Sequence, residues 1–168
     1  MLKQRKSIVG LDIGSSCIKA VELTREKYDH VITGYAQIDV HHESSRQDAM
    51  AELMATAKFR TKRVASAVSG KNVVFRYITM PEMSDDKLLQ AVRLEADKYI
   101  PFDVEDVELG AQRLEVGGEE SADQEMKVLL VAAKKAVVQD HSRMLTDLGL
   151  QPVSVGVDGF ALGNAWEL

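Results

Sequence analysis

The chain has 168 residues, of which 45% are hydrophobic, and a formal net charge of −5 at neutral pH. This allows one domain or two small ones with a buried core, and the interspersed acidic and basic residues disfavour a nucleic-acid surface. The single cysteine excludes an internal disulfide and fits a reducing compartment. No stretch approaches the roughly 20 apolar residues needed to span a bilayer, and the apolar run at 8–13 is too short for a signal peptide. We therefore expect a soluble chain, for which any membrane role would have to act through a partner.

The first part of the chain has the pattern of three strands, a helix and a fourth strand. The strands are expected at residues 7–13, 17–23, about 30–40 and 64–68, and the helix at about 46–58. A tight turn at residues 14–16 joins the first two strands, and Ser44 and Ser45 are candidate caps for the helix.

A strand–helix pattern then begins again near residue 71. Strands are expected at residues 73–80, 104–116, 126–133 and 151–157, with a polar loop at 117–123. Helices are expected between Ser84 and Pro101, from about 134 to a cap at Gly149, and from 159 onward. The last helical pattern reaches the chain end without a cap, which we interpret as a truncation, the alternative being a short frayed helix.

The first hairpin contains the residues that indicate chemistry. Asp12 comes at the end of a strand, and the turn Gly14-Ser15-Ser16 follows it, with Lys19 in the next strand. Backbone N–H groups of such a turn, together with two hydroxyls and an ammonium group, are able to hold a phosphate. Asp12 is the candidate ligand of Mg²⁺. The alternative for these residues alone is a plain hairpin, and the pattern is not a Walker loop because no Gly-Lys-Ser/Thr opens a helix.

Three segments of the sequence resemble a known family. They are Asp12-Ile13-Gly14-Ser15-Ser16 followed by Lys19, Val21, Glu22 and Leu23; Glu95-Ala96-Asp97-Lys98-Tyr99-Ile100-Pro101-Phe102; and Val157-Asp158-Gly159-Phe160-Ala161-Leu162. The first resembles the phosphate-binding hairpin of the actin and hexokinase superfamily. Together they resemble the PilM family of type IV pilus assembly proteins. The first also resembles, less closely, the cell-division protein FtsA, whereas the second does not.

The resemblance implies an α/β protein with an actin-like (ribonuclease H-like) fold. Residues 1–70 and 151–168 are expected to form subdomain 1A, truncated before the second lobe, and residues 71–150 an inserted subdomain 1C of the FtsA/PilM type. The final strand would then return to the 1A sheet. Periodicity alone equally allows a separate β-α-β-β-α-β domain at residues 71–157.

The resemblance also implies a function in docking rather than catalysis. PilM-like proteins hold the N-terminal cytoplasmic tail of the inner-membrane protein PilN in a groove between 1A and 1C, which places them in the cytoplasm, peripheral to the inner membrane. Tyr99, Pro101 and Phe102 are the candidate partner-binding residues; the alternative is that Tyr99, Ile100 and Phe102 fill the core of 1C.

ATP and Mg²⁺ are expected for a full-length parent, held by Asp12, Gly14, Ser15, Ser16 and Lys19. Weak or no binding is expected here, because the resemblance stops before the second phosphate loop. We assign no catalytic residue and expect no enzyme. A fragment of a sugar kinase or of an FtsA-like ATP-binding protein is the alternative.

Two further residues invite a chemical interpretation. Cys17 lies beside the turn, but no histidine or second cysteine is near it in sequence, which favours a small packing residue over a reactive thiol. His141 lies on an apolar helix face and is interpreted as a core or interface residue.

Overall fold

The computed structural model describes residues 7–40, 45–114 and 125–166. The strands are β1 (Ser7–Ile13), β2 (Cys17–Arg25), β3 (His30–Asp39), β4 (Arg63–Val68), β5 (Val73–Pro81), β6 (Val107–Leu114), β7 (Glu125–Lys134) and β8 (Gln151–Val157), and the helices are α1 (Arg46–Thr56), α2 (Asp85–Glu95), α3 (Lys135–Asp147) and α4 (Asp158–Trp166). The expected cap at Ser44, the loop at 117–123 and the last residues of the strand expected at 104–116 lie outside the described residues.

Strands β1, β2, β3, β4 and β8 form a five-stranded sheet in the order β3-β2-β1-β4-β8. The hairpins β1–β2 and β2–β3 are antiparallel, whereas β4 pairs in parallel with β1 on one side and with β8 on the other. The predicted return of residues 151–157 to the strand at 63–69 is therefore confirmed. A separate domain that includes residues 151–157 is wrong, because β8 takes its hydrogen-bonding partner from the first sheet.

One face of this sheet is covered by helices. Side chains alternate between the two faces of a strand, and in β1 and β2 every second residue is buried. The buried cluster combines strand residues with residues of α1, α3 and the segment after α3: Val9, Leu11, Ile18, Ala20 and Val64 with Ala49, Met50, Leu53, Leu145 and Leu150. The β1–β2 hairpin therefore turns one face toward this core.

The strands β5, β7 and β6 form a second, antiparallel sheet in that order. Helix α2 covers one face, and its buried residues Leu88 and Val92 belong to the same core as Val128 and Leu130 of the central strand β7. The strand predicted at 126–133 is thus the central strand of the second sheet, a position that suits its strongly apolar sequence.

The chain divides into two compact units. One consists of the residues up to Ser69 and from Asp140 onward, and the other of Gly70–Gln139. The boundary between Gln139 and Asp140 falls inside α3.

Local side-chain chemistry accounts for where several elements begin and end. Ser45 caps α1 and forms a capping box with Asp48. Gly149 ends α3 with a φ of 71°, a backbone conformation that favours glycine. The strand expected from residue 104 begins only at Val107, because the Asp103 side chain accepts a hydrogen bond of 2.9 Å from the Glu105 N–H and holds a short 3-10 turn.

The first unit also buries a carboxylate. Glu22 on β2 is 1% exposed. One of its oxygens accepts a hydrogen bond of 2.7 Å from the Thr33 hydroxyl, and the other accepts one of 2.7 Å from the Arg60 N–H. The Thr33 hydroxyl also lies 2.9 Å from that of Thr24. Thr33 is the extra residue where the β2–β3 register shifts, so the carboxylate joins β2, the edge strand β3 and the segment before β4.

We expect Glu22→Ala to lower the free energy of unfolding by at least about 2 kcal/mol, because the Arg60 N–H and the Thr33 hydroxyl would lose their buried acceptor. Glu52→Ala, at an exposed position of α1, is the matched control and is expected to change the free energy by no more than about 0.5 kcal/mol. Urea denaturation followed by circular dichroism measures both. Equal effects of the two substitutions would contradict a structural role for the buried carboxylate.

Candidate functional site

The turn between β1 and β2 is held by backbone hydrogen bonds. The Gly14 N–H donates to the Cys17 carbonyl at 3.1 Å, and the Val40 N–H, just after β3, donates to the Ser16 carbonyl at 2.8 Å. The turn is thus closed on itself and attached to the third strand. Ser15 and Ser16 are exposed on it, where their hydroxyls are accessible to a ligand.

Gly14 is required by the space available and not by a left-handed backbone. A Cβ atom at this position would lie 2.6 Å from the carbonyl oxygen of Cys17. Since that oxygen accepts the hydrogen bond that closes the turn, it cannot move away without opening the hairpin. The glycine that the sequence suggested for close approach to a ligand is thus already needed for the hairpin itself.

Asp12 and Lys19 are partners across the β1–β2 ladder. The Lys19 Nζ lies 3.2 Å from the Asp12 Oδ2, with side-chain exposures of 49% and 64%. The hydrogen bond that Lys19 donates to Asp12, followed by the negative charge of Asp12, raises the pKa of Lys19 above its usual value. The structure therefore places a carboxylate and an ammonium group together, both open to solvent, beside the serine turn.

This donor set fits the phosphate end of a magnesium nucleotide. A carboxylate suits Mg²⁺, which usually keeps several waters and takes one or two protein carboxylates together with phosphate oxygens. An ammonium group, two hydroxyls and a tight turn suit phosphate. Within residues 7–40, 45–114 and 125–166, no group of three His, Cys, Asp or Glu side chains could hold a metal ion.

A second acid, Asp158, lies at the same edge of the sheet as Asp12, and the sequence pattern gave no function to it. Because β1, β4 and β8 are parallel, their carboxyl ends lie at the same edge. Asp12 is near the end of β1, and Asp158 directly follows β8. Ligands of open α/β sheets bind outside the carboxyl ends of the strands. An acid immediately after an apolar strand is the signal that could have identified Asp158, but the strand's pairing had to be known first.

His141 on α3 reaches the first sheet. It is half-buried, and its Nε2 lies 3.0 Å from the hydroxyl oxygen of Ser66 on β4. Burial lowers the pKa of His141 below its usual value. This agrees with the interpretation of His141 as a structural residue. Cys17 is a free, partly buried thiol whose Sγ lies 3.8 Å from the Ile18 carbonyl oxygen.

The three candidate partner-binding residues follow α2 in the second unit. Tyr99 and Phe102 are partly buried and pack against the core of that unit, whereas Pro101 is exposed. The Lys134 Nζ lies 4.8 Å from the centre of the Phe102 ring, and the Arg76 Nε donates a hydrogen bond of 3.0 Å to the Tyr99 carbonyl. Phe102 is therefore half-buried rather than an exposed anchor, and the partner-binding role of the segment stays a prediction.

Comparison with known proteins decides the family. The family model described as type IV pilus assembly protein PilM matches residues 10–168. The chain belongs to the PilM family. The resemblance noted in the hairpin and in the segment after α2 is thereby confirmed.

Solved structures agree with this assignment and with an actin-like fold. The PilM–PilN type IV pilus biogenesis complex contains a chain with 29% identity and a TM-score of 0.78, and the match covers 94% of this chain and 49% of that one. The chain thus spans about half the length of that PilM relative. The cytoplasmic domain of EpsL, an inner-membrane component of the type II secretion system of Vibrio cholerae, matches with 14% identity and a TM-score of 0.56 over 90% of this chain and 57% of that one, which shows a shared fold.

The family assignment comes with one structural observation about membranes. Across the described parts of the chain, the helices are too short or too polar to cross a bilayer.

The pKa of His141 predicts a specific dependence of stability on pH. Since the folded-state pKa is lowered, the unfolded chain binds a proton more readily near pH 6.5 than the folded chain does. The contribution of neutral His141 to the free energy of unfolding is fully present above about pH 6.5 and is lost as the pH falls through the lowered folded-state pKa. Unfolding free energies of wild type and His141→Gln between about pH 5 and 7.5 measure this, and the variant should show a shallower decline.

His30→Gln, at an exposed position of β3, is the control and should keep the wild-type decline because His141 is intact. A wild-type slope in His141→Gln would show that burial of this ring does not control the pH dependence.

Proposed function

We propose that this chain is a docking component of the type IV pilus assembly machinery, and that it binds the N-terminal cytoplasmic tail of a PilN-like inner-membrane protein. The observation that carries the proposal is the structural match over 94% of the chain to the PilM of a PilM–PilN complex. Such binding would hold the chain in the cytoplasm at the inner membrane. Membership of the PilM family favours this function over the sugar-kinase and FtsA-like alternatives.

We assign the two units to the subdomains of this family. The first unit, with the strand order β3-β2-β1-β4-β8, would correspond to subdomain 1A, expected at residues 1–70 and 151–168, although this unit also includes residues 140–150. The second, with its three-stranded sheet and α2, would correspond to the inserted subdomain 1C, expected at 71–150, although this unit ends at Gln139. The parallel return of β8 to β4 supports this assignment, because an insertion must leave the chain able to rejoin the sheet it interrupts.

The segment Tyr99–Phe102 is the proposed contribution of the second unit to tail binding. Its backbone is fixed by Arg76, and its aromatic rings lie against the core. An exposed proline and half-buried rings on a fixed segment suit an extended apolar peptide, which binds best to a surface that does not have to be ordered first. The burial of Tyr99 and Phe102 also means that these rings stabilise the unit itself, so the two roles must be separated by experiment.

The β1–β2 hairpin is proposed to hold the phosphate end of ATP with Mg²⁺. Asp12 would face the metal, while Gly14, Ser15, Ser16 and Lys19 would surround the phosphates. The exposed Asp12–Lys19 pair supports this, because both charges are accessible at the end of a fixed strand. In this proposal the nucleotide has a structural role and no residue of the chain is catalytic.

Tail binding is tested by fluorescence titration with a labelled peptide of the first ten or so residues of the cognate PilN. We expect saturable binding that Phe102→Ala weakens by about tenfold, which corresponds to about 1.4 kcal/mol. Leu94→Ala, at a position of α2 that is 82% exposed, is the control in the same unit and should bind like wild type.

Because Phe102 is half-buried, circular dichroism must show that the Phe102→Ala variant is folded. Pro101→Ser, at an exposed position, tests the same surface without removing core contacts. A folded chain that does not bind the peptide would contradict the docking proposal.

We expect this chain to bind Mg-ATP weakly, with a dissociation constant of about 1 mM or higher. A value of about 1 mM corresponds to a binding free energy of about −4 kcal/mol. The proposed set reaches the phosphates only and includes no contact with the adenine. Asp12→Ala should abolish the residual binding, whereas Asp29→Ala, exposed between β2 and β3, should leave it unchanged. Micromolar binding measured by calorimetry would contradict the expected weak affinity. Binding of Mg-ATP by Asp12→Ala equal to that of wild type would contradict the metal-facing role of Asp12.

A further inference from the structure

A buried serine touches the strand that carries Asp12. Ser66 on β4 is 8% exposed and lies opposite Leu11 in the parallel β1–β4 register. Its hydroxyl donates a hydrogen bond of 3.0 Å to the Leu11 carbonyl oxygen. That carbonyl and the N–H of Asp12 belong to the same planar peptide group, so the serine acts directly on the peptide that leads into the candidate site.

The direction of the second hydrogen bond follows from the first. A serine hydroxyl has one hydrogen, and Ser66 gives it to Leu11. The Ser66 oxygen must therefore accept from the His141 Nε2, which lies 3.0 Å away. The ring then carries its proton on Nε2, and the lowered pKa of His141 favours the neutral form. The result is a directed chain of hydrogen bonds from α3 through β4 to β1.

The surroundings show that polarity at this position is not needed to fill space. The other core-facing residues of β4 are Val64 and Val68, which are buried and apolar. Leu145, one turn after His141 on α3, is fully buried in the same core. A hydroxyl in such a setting is costly unless it is hydrogen-bonded, and chains of hydrogen bonds in a buried setting polarise and strengthen one another. A valine-like residue at position 66 would have packed on this face without needing a hydrogen bond from His141.

We propose that Ser66, held by His141, is a positioning residue that fixes the Leu11–Asp12 peptide and thereby the end of β1 that presents Asp12. The pair acts from the buried face of the sheet and does not touch the ligand. The inference depends on the proposed nucleotide site only for the identity of that ligand, because the effect on the Leu11–Asp12 peptide is a property of the chain itself.

The first measurement is NMR of the isotopically labelled chain without ligand. The ring of His141 should be protonated on Nε2. Ser66→Ala should shift the Leu11 carbonyl carbon and the Asp12 amide nitrogen and speed exchange of the Asp12 and Ile13 amides. Thr24→Val removes a different buried hydroxyl of the same unit, bonded to Ser7 and Thr33, and should leave these signals in place.

Rescue separates positioning from simple packing. His141→Gln retains an N–H donor that can reach Ser66, and we expect wild-type signals at Leu11 and Asp12. His141→Phe fills similar space without a donor and should shift the Leu11 and Asp12 signals in the same direction as Ser66→Ala, but by less, because the Ser66 hydroxyl is still present. Since His141→Phe leaves Ser66 intact, it tests the proposal even if Ser66→Ala fails to fold.

The second measurement adds Mg-ATP at millimolar concentration. If wild type responds, Ser66→Ala should weaken the response by about tenfold, the effect typical of residues that orient a binding group from behind. If no variant responds, but the shifts at Leu11 and Asp12 appear as expected, positioning stands and the dissociation constant for Mg-ATP lies above the millimolar range, as the expectation of weak binding allows. An unshifted Leu11–Asp12 peptide in a folded Ser66→Ala, or a His141 ring protonated on Nδ1, overturns the positioning role.

Discussion

The parallel pairing of β4 with β1 on one side and β8 on the other is the interaction on which the first unit depends. It brings together strands that the second unit separates along the chain. Closing so long a segment costs conformational entropy, although this cost rises only slowly with length. The pairing offsets it by completing the backbone hydrogen bonds of β4 and by burying Val64 and Val68 under the helices. It also sets the carboxyl ends of three strands along one edge, so that Asp12 near the end of β1 and Asp158 after β8 lie at the same edge of the sheet, with β4 between their strands.

Local patterns predicted most of the elements but not the partner of β8. Residues 151–157 are uncharged and contain several residues that favour strands, and this pattern suits either sheet. Periodicity therefore left two arrangements open. The choice depends on burial against distant residues, and here it came from the family resemblance. The late start of β6 has a different cause. The Asp103 side chain accepts a hydrogen bond from the backbone N–H of Glu105, and this local preference overrides the strand pattern.

The buried polar groups were harder to foresee than the apolar core. Glu22 falls within a strand of alternating polarity, yet it lies on the buried face and finds its donors at Thr33 and Arg60. Ser66 likewise depends on His141, which comes from a helix on the far side of the inserted unit in sequence. In both cases the residue is costly to bury alone and becomes favourable only when a distant partner arrives. A short sequence window contains neither Glu22 together with Arg60 nor Ser66 together with His141. The burial of an apolar residue, in contrast, can be predicted from its own hydrophobicity and spacing.

The two faces of the β1–β2 hairpin differ in what their residues contribute. Toward the core, Leu11, Ile18 and Ser66 fix the backbone, and Gly14 allows the turn to close without strain. Toward solvent, Asp12 and Lys19 pair with each other, and exposed ion pairs contribute little to stability. Their charges are therefore not needed for folding. In the proposed nucleotide site, Asp12 would exchange Lys19 for a metal ion and Lys19 would exchange Asp12 for a phosphate, while the buried face of the hairpin would hold both residues in position.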